Sequence, residues 1–133
     1  MMVRRYGITV VALRYPYIGQ PEDRLRGRAE GIAATPELGA AELWSYLDTR
    51  DAATAAVLAI TAPVEGAPVV YVAAERTIAP YETEALLARF HPASRLLRRL
   101  PGRATPIDLE PARKLLGFSA RFELEIPTIA GLP

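Results

Sequence analysis

A run of apolar and β-branched residues near the start of the chain, residues 8–13 (ITVVAL), most constrains how it can fold. The run has almost no polar alternation, and such runs are typical of strands covered on both faces, as in a parallel sheet. Segment 14–21 (RYPYIGQP) follows at once, and its prolines and glycine must end the strand in a loop. We therefore expect a buried first strand followed by an irregular segment.

Two later segments predict that this strand belongs to a parallel unit. Residues 50–62 (RDAATAAVLAITA) predict a helix capped by Asp48 or Thr49, apolar on nearly all sides and so buried between layers. Residues 69–74 (VVYVAA) predict a second strand of the buried type. A strand, a helix and a strand in this order are typical of a right-handed parallel crossover.

The other segments predict a smaller lobe of short elements. Residues 42–47 (ELWSYL) predict a short strand, and residues 22–41 an irregular connection with at most one short helix. We expect a helix over 80–90, which the His91-Pro92 pair stops because proline disfavours helical geometry in the residue before it.

A last short helix is predicted from Asp108, which can cap it, to Gly117, which is a good helix stop. The fold class expected is thus α/β, with a partial Rossmann-like unit (two parallel strands with a crossover helix) plus a small α/β substrate lobe. The 133 residues suit a single domain over residues 1–133.

Composition excludes several classes of function. Sixteen basic against fifteen acidic residues give a net charge of +1, which does not support a nucleic-acid or anionic-membrane binder. The sequence has no cysteine and one histidine, so thiolate chemistry and a multi-histidine metal centre are excluded. No stretch reaches membrane-spanning length and the first apolar run is too short for a signal peptide, so we expect a cytoplasmic protein without a membrane partner.

Five segments in order carry a resemblance to a known family: YGITVVALRYPYIGQP, ELWSYLDTRDAATAAVLAI, VVYVAAE, ETEALLARFHP and PIDLEPARKLLGF. Together they resemble the C-terminal portion of an extended short-chain dehydrogenase/reductase, the NAD-dependent epimerase/dehydratase family. The similarity covers residues 6 to about 121. The most specific motifs are W-S-Y-L-D-T-R-D before an Ala-rich helix, and A-R-K-L-L-G-F near the end.

The resemblance implies hydride transfer to or from a nicotinamide, with a Tyr-x-x-x-Lys pair as the acid/base unit and a glycine-rich turn that holds the dinucleotide. Neither element occurs in this sequence, because the only lysine, Lys114, has Glu110 four residues before it. We therefore expect no catalytic or metal-binding residue in this chain and no cofactor bound by it alone. NAD or NADP would bind if a separate N-terminal half completed the fold.

The resemblance also implies a binding site in the loop after the first strand, which in the family passes beside the nicotinamide and the substrate. This assigns Tyr15, Pro16 and Tyr17 to the cofactor, and Tyr17 and Ile18 to the substrate. Family members that handle nucleotide sugars commonly carry Arg where this chain has Glu42, and a carboxylate there would repel phosphate. An alternative for Tyr15 and Tyr17 is that they close a core.

Further candidate substrate contacts are Trp44, Tyr46 and Arg50, and each has a structural alternative. Aromatic residues alternating on a strand also pack in cores, and Arg50 can pair with Asp48 at the helix start. The basic run could meet an anionic ligand or form a solvated face; it consists of Arg95, Arg98, Arg99 and Arg103.

Two hypotheses of function follow. In the first, the chain is the substrate-binding C-terminal portion of an NAD(P)-dependent epimerase/dehydratase-like oxidoreductase that is inactive alone. In the second, it is a non-catalytic ligand-binding or regulatory module on the same scaffold. The expected partners are a small-molecule substrate and either a second copy or a separate N-terminal half, because a buried-type first strand needs cover on its faces and edges.

Overall fold

A computed structural model describes residues 5–133 of the chain. Four short strands and three α-helices form its regular elements. The strands are β1 (Ala12–Arg14), β2 (Tyr17–Gly19), β3 (Tyr46–Asp48) and β4 (Val69–Tyr71), and the helices are α1 (Arg26–Ala34), α2 (Thr49–Thr61) and α3 (Thr83–Phe90). Shorter helical turns occur at Pro21–Leu25, Pro36–Glu42 and Ala112–Leu116.

The strands form two separate two-stranded sheets, and both are parallel. β1 pairs with β4, so that Leu13 lies opposite Val70, and β2 pairs with β3, so that Ile18 lies opposite Leu47. The α/β class and the parallel pairing of the first and last strands around α2 are therefore confirmed. Because each sheet has only two strands, the structure shows a mixed α/β architecture and does not confirm a partial Rossmann-like unit. The expectation that segment 14–21 is irregular was wrong in part, since β2 lies within it and pairs with β3.

The expectation of a first strand covered on both faces was wrong. Only Ala12–Arg14 forms a strand, and the preceding Ile8 and Val10 are exposed, Ile8 at 49%. Val11 and Leu13 point inward and pack against the core. Their neighbours in the run point to the opposite face, which no other layer covers within residues 5–133.

The helix predicted over 50–62 is confirmed as α2, but its burial on all sides was wrong. It begins at Thr49, and the Asp48 carboxylate caps it by accepting the Arg50 amide at 2.8 Å. Its inner face buries Asp51, Ala52 and Ala55, whereas Ile60 on the outer face is 84% exposed.

The strand predicted over 42–47 begins only at Tyr46, and this placement is a correction. Leu43 and Trp44 before it both have a left-handed backbone with φ of 53°, which interrupts any strand. The helical turn at Pro36–Glu42 ends at this point. The segment before it is more regular than predicted, since the turn at Pro21–Leu25 runs directly into α1.

The two remaining helices end where predicted, and only α3 begins later than predicted. α3 starts at Thr83, not at residue 80, and ends at Phe90 before His91-Pro92. Near the C-terminus the Asp108 carboxylate caps the predicted last helix by accepting the Glu110 amide at 3.1 Å, and helical backbone runs from Glu110 into the turn at Ala112–Leu116. Gly117 ends it with φ of 66°, a conformation that glycine adopts without strain.

Two groups of buried apolar side chains lie on either side of β3. The lobe cluster contains Trp44 and Tyr46 together with residues of the helical turn at Pro21–Leu25, α1, segment 74–81, α3 and the C-terminal segment. The sheet cluster lies between the β1–β4 sheet and α2. Its fully buried members include Leu47, Ala55, Val70, Val72 and Ala112.

Candidate functional site

A cleft of about 430 Å³ opens at the carboxyl ends of β1 and β4. Parallel strands present free backbone groups and following loops at this edge, and ligands of α/β proteins bind there. The residues lining the cleft are Arg14–Pro16, Ala41–Leu43, Tyr71–Ala73 and Pro106–Asp108. We call it the strand-end cleft and take it as the candidate site.

Besides segment 106–108, three chain segments build the walls of the strand-end cleft. The first is the loop after β1, which carries Tyr15 and Pro16, and the second is the end of β4 with Val72 and Ala73. The third lies opposite and includes Leu43, whose left-handed backbone follows the helical turn at Pro36–Glu42. Apolar side chains supply most of this surface, which suits a flat or aliphatic ligand.

Tyr15 is the most prominent polar side chain of the cleft. Its hydroxyl donates a hydrogen bond to the Ala52 carbonyl oxygen at 3.0 Å, which ties the loop after β1 to the start of α2. Burial raises the pKa of the Tyr15 phenol above its ordinary value of 10.0. The phenol therefore stays protonated at neutral pH, and its proton is engaged in the hydrogen bond to the Ala52 carbonyl oxygen.

The charged groups at the cleft each have a partner, but only Glu42 is paired with an opposite charge. Arg14 donates to the Tyr71 hydroxyl at 2.7 Å and lies 5.3 Å from the centre of that ring. Glu42 pairs with Arg28 at 3.0 Å. Asp108 accepts the Glu110 amide. This arrangement leaves an apolar cleft with a polar margin.

Tyr17 and Ile18, assigned to cofactor and substrate, lie outside the lining of the strand-end cleft. Both belong to β2, where Tyr17 is opposite Tyr46 and lies 5.1 Å from the Arg28 guanidinium. Ile18 packs against the sheet cluster. The structure thus brings Tyr15 and Pro16 to one site and separates Tyr17 and Ile18 from it, and the roles assigned to all four stay predictions.

Trp44 and Tyr46 are fully buried in the lobe cluster, so neither contributes surface to the cleft. The Trp44 indole donates to the Pro36 carbonyl oxygen at 2.7 Å, and the Tyr46 hydroxyl accepts the Leu124 amide at 2.7 Å. Burial raises the pKa of Tyr46 to about 12. Both side chains occupy the core positions that the sequence left as the alternative to ligand contact.

Arg50 forms the local ion pair that the sequence offered as its alternative role. Its Nε and Nη2 donate to the two Asp48 carboxylate oxygens, each at 2.9 Å. The guanidinium also lies 3.7 Å from the centre of the Phe122 ring. The hydrogen bonds from the Arg50 side chain hold the pKa of Asp48 below its ordinary value of 3.8.

Of the residues lining the cleft, sequence reasoning assigned only Tyr15 and Pro16 to a binding site and missed the others, among them Ala41, Leu43, Pro106 and Ile107. No motif marks these residues, since Ala41 and Leu43 lie at the end of the helical turn at Pro36–Glu42 and Pro106 and Ile107 lie in a distant segment, and only the tertiary fold brings them together. Within residues 5–133, no cluster of three or more histidine or acidic side chains is placed to hold a metal ion. Over the same residues, no helix has the length and apolar character needed to span a membrane.

Comparisons with protein-family models, with curated proteins and with solved structures gave no significant match for this chain. Its function is therefore inferred from the residues and geometry of the strand-end cleft.

Proposed function

We propose that this chain is the substrate-binding portion of an NAD(P)-dependent epimerase/dehydratase-like oxidoreductase, with the strand-end cleft accepting the nicotinamide end of the cofactor and the adjoining part of the substrate. One observation carries the proposal. The cleft lies at the carboxyl ends of two parallel strands, and the loop that the family resemblance assigns to the nicotinamide, at Tyr15 and Pro16, forms its wall. A cytoplasmic location belongs to the same proposal.

The order of elements supports this proposal. β1 leads through β2, β3 and α2 to β4, which pairs with β1 in parallel, as a Rossmann-like unit requires. The apolar walls at Leu43, Val72 and Ala73 suit the face of a flat ring. Tyr15 has its hydroxyl engaged by Ala52, so it shapes the cleft instead of transferring a proton.

In this proposal the acid/base chemistry comes from another polypeptide segment. The only lysine, Lys114, lies 3.4 Å from Glu110 and does not line the cleft. The role of this chain is therefore to bind the substrate, orient it and exclude water from the nicotinamide. Either NAD or NADP satisfies the cleft, because the part of the dinucleotide that differs between them lies elsewhere.

Nicotinamide mononucleotide tests the proposal without the missing dinucleotide-binding turn. Titrated into ¹⁵N-labelled protein, it is expected to shift the amide resonances of Arg14, Tyr15, Val72 and Ala73. We expect weak binding, and NAD⁺ to bind no more than about tenfold more tightly, since the glycine-rich turn that holds the pyrophosphate is not in the sequence.

A matched pair of variants locates the binding. Ala41→Phe fills the strand-end cleft from its wall, whereas Ala53→Phe adds the same side chain to an exposed position on α2 outside the cleft. We expect Ala41→Phe to abolish the shifts and Ala53→Phe to leave them unchanged. Shifts that are absent, that fall outside the cleft or that survive Ala41→Phe would overturn the proposed function.

A further inference from the structure

A second cleft, of about 490 Å³, adjoins the strand-end cleft. The two share Leu43, Pro106 and Asp108 in their walls, so these residues form a ridge between two halves of one groove. Leu43 is fixed in this position by its left-handed backbone and by the buried Trp44 that follows it. Its backbone amide also donates a hydrogen bond to the Ala40 carbonyl oxygen at 3.1 Å.

Leucines dominate the wall of the second cleft. Leu87 and Leu100 form its floor and belong to the lobe cluster. Leu96 and Leu97 lie on segment 92–99, in which every residue is exposed, and Leu97 reaches 92% exposure. Leucines in this state lose unfavourable contact with water when an apolar chain is placed against them.

Two arginines complete the same cleft, and neither is paired. Arg95 and Arg98 line it, and within residues 5–133 neither has a carboxylate at ion-pair distance. The neighbouring arginines differ in this respect. Arg99 pairs with Glu84 at 2.8 Å, and the buried Arg103 donates to the carbonyl oxygens of Thr77 and Ile126.

The distribution of charge gives the ligand a direction. Asp108 on the ridge would repel an anion, whereas Arg95 and Arg98 on segment 92–99 would attract one. An anionic group therefore belongs at the arginine end of the second cleft. The apolar body of the ligand then lies on the leucines and extends toward Leu43 and the strand-end cleft.

We propose that the second cleft binds an amphipathic monocarboxylate, with its carboxylate at Arg95 and Arg98 and its aliphatic chain on Leu43, Leu87 and Leu97. This proposal rests on the proposed function in one respect: the end of the acid that extends past Leu43 is the end presented to the nicotinamide. The substrate class is accordingly an oxygenated aliphatic acid that reacts at a carbon remote from its carboxylate.

Decanoate, used below its micellar concentration, is the probe, and Trp44 is the reporter. Trp44 is the only tryptophan, follows Leu43 in the chain and shares the lobe cluster with Leu87. We expect a saturable change in its fluorescence, with an affinity about tenfold higher for decanoate than for octanoate, because two more methylenes are buried. We expect the uncharged decanol to bind roughly fivefold more weakly than decanoate.

Variants separate the two parts of the site. Arg95→Gln with Arg98→Gln should lower decanoate affinity about fivefold and leave decanol unaffected, while Arg24→Gln, at an exposed arginine outside both clefts, should change neither. Leu97→Asn should weaken both ligands, and Ile60→Asn on α2 should not. Leu97 and Ile60 are both highly exposed, so these variants are expected to fold.

Each outcome decides a separate point. The inference would be overturned by a Trp44 fluorescence change that does not saturate or does not depend on the chain length of the acid. It would also be overturned by an equal decanoate affinity in the wild type and in the double arginine variant. If nicotinamide mononucleotide shifts the strand-end cleft while decanoate fails to bind, the inference falls and the proposed function stands. If decanoate binds as expected while the nucleotide does not, the proposed function is overturned. The acid-binding site then stands, and only the orientation of the acid toward a nicotinamide is lost.

Discussion

The two sheets of this protein have the same size and direction but opposite surroundings. Each consists of two parallel strands of three residues. In the β2–β3 sheet, every residue of β3 is buried, whereas in the β1–β4 sheet the outward-facing Val69 and Tyr71 are exposed. The more apolar sequence thus forms the more exposed sheet, because burial depends on which layers cover a strand and not only on its composition.

The cover over β3 comes from residues distant in sequence. The Tyr46 hydroxyl accepts the Leu124 amide, and the Tyr46 carbonyl accepts the Ala74 amide at 2.9 Å. The Asp51 carboxylate accepts the amides of Arg121 and Phe122 at 2.9 to 3.1 Å. These bonds hold the C-terminal segment against the lobe, and the β1–β4 sheet has no comparable layer over its outer face within residues 5–133.

The largest expected contrast between the two regions comes from Trp44 and Val10. Trp44→Ala removes a fully buried indole that packs against Phe90, and should lower the free energy of unfolding by about 3–5 kcal/mol. Val10→Ala acts on an exposed side chain beside β1 and should change it by less than about 0.5 kcal/mol. Urea denaturation followed by circular dichroism measures both, since the first variant lacks tryptophan.

A smaller contrast is expected when the same substitution, tyrosine to phenylalanine, removes one hydroxyl from each sheet. Tyr46→Phe leaves the buried Leu124 amide without an acceptor, which should cost about 1–3 kcal/mol. Tyr71→Phe loses only the exposed bond from Arg14 and should cost less than about 0.5 kcal/mol. Equal losses in urea denaturation would show that the two sheets are equally well packed, contrary to this comparison.

The smallest effect is expected from pH, at the end of β3. The folded pKa of Asp48 lies below its unfolded value, so its ion pair with Arg50 stabilises the fold above about pH 4 and this contribution is lost as pH falls through the folded pKa. Asp48→Asn keeps a capping side chain and removes the charge.

The variant should therefore lose less stability than the wild type when urea midpoints are measured from pH 6 down to pH 3. Asp23→Asn, at an exposed carboxylate without a resolved partner in the described structure, provides the matched control. If the wild type and Asp48→Asn lose stability in parallel as the pH falls, the expectation is wrong and the acid sensitivity belongs to other carboxylates.

Sequence patterns predicted the elements whose signals are local. The cap at Asp48, the helix that follows it, the stop at Gly117 and the end of a helix before His91 depend on neighbouring residues alone, and the structure confirms them. The start of β4 was predicted for the same reason, because β-branched residues follow the breaks at Gly66 and Pro68, but the strand ends at Tyr71 and not at residue 74.

Features that depend on distant contacts were not predictable in this way. The left-handed pair Leu43 and Trp44 is held by the fit of the indole over Gly39, where an added Cβ would lie 2.3 Å from the ring. No local pattern marks that fit, so the sequence suggested a strand there. Of the strand-end cleft, only Tyr15 and Pro16 were predicted, because the rest of its wall is assembled from this turn and from segments distant in sequence.

The β1–β4 sheet has a further consequence for how the protein can be extended. Each of its strands has one hydrogen-bonded neighbour, so each also has a side along which another strand could be added. A polypeptide fused or supplied in trans could therefore lengthen this sheet without displacing any existing pairing. The edge offers a route for attaching a reporter fragment beside the strand-end cleft.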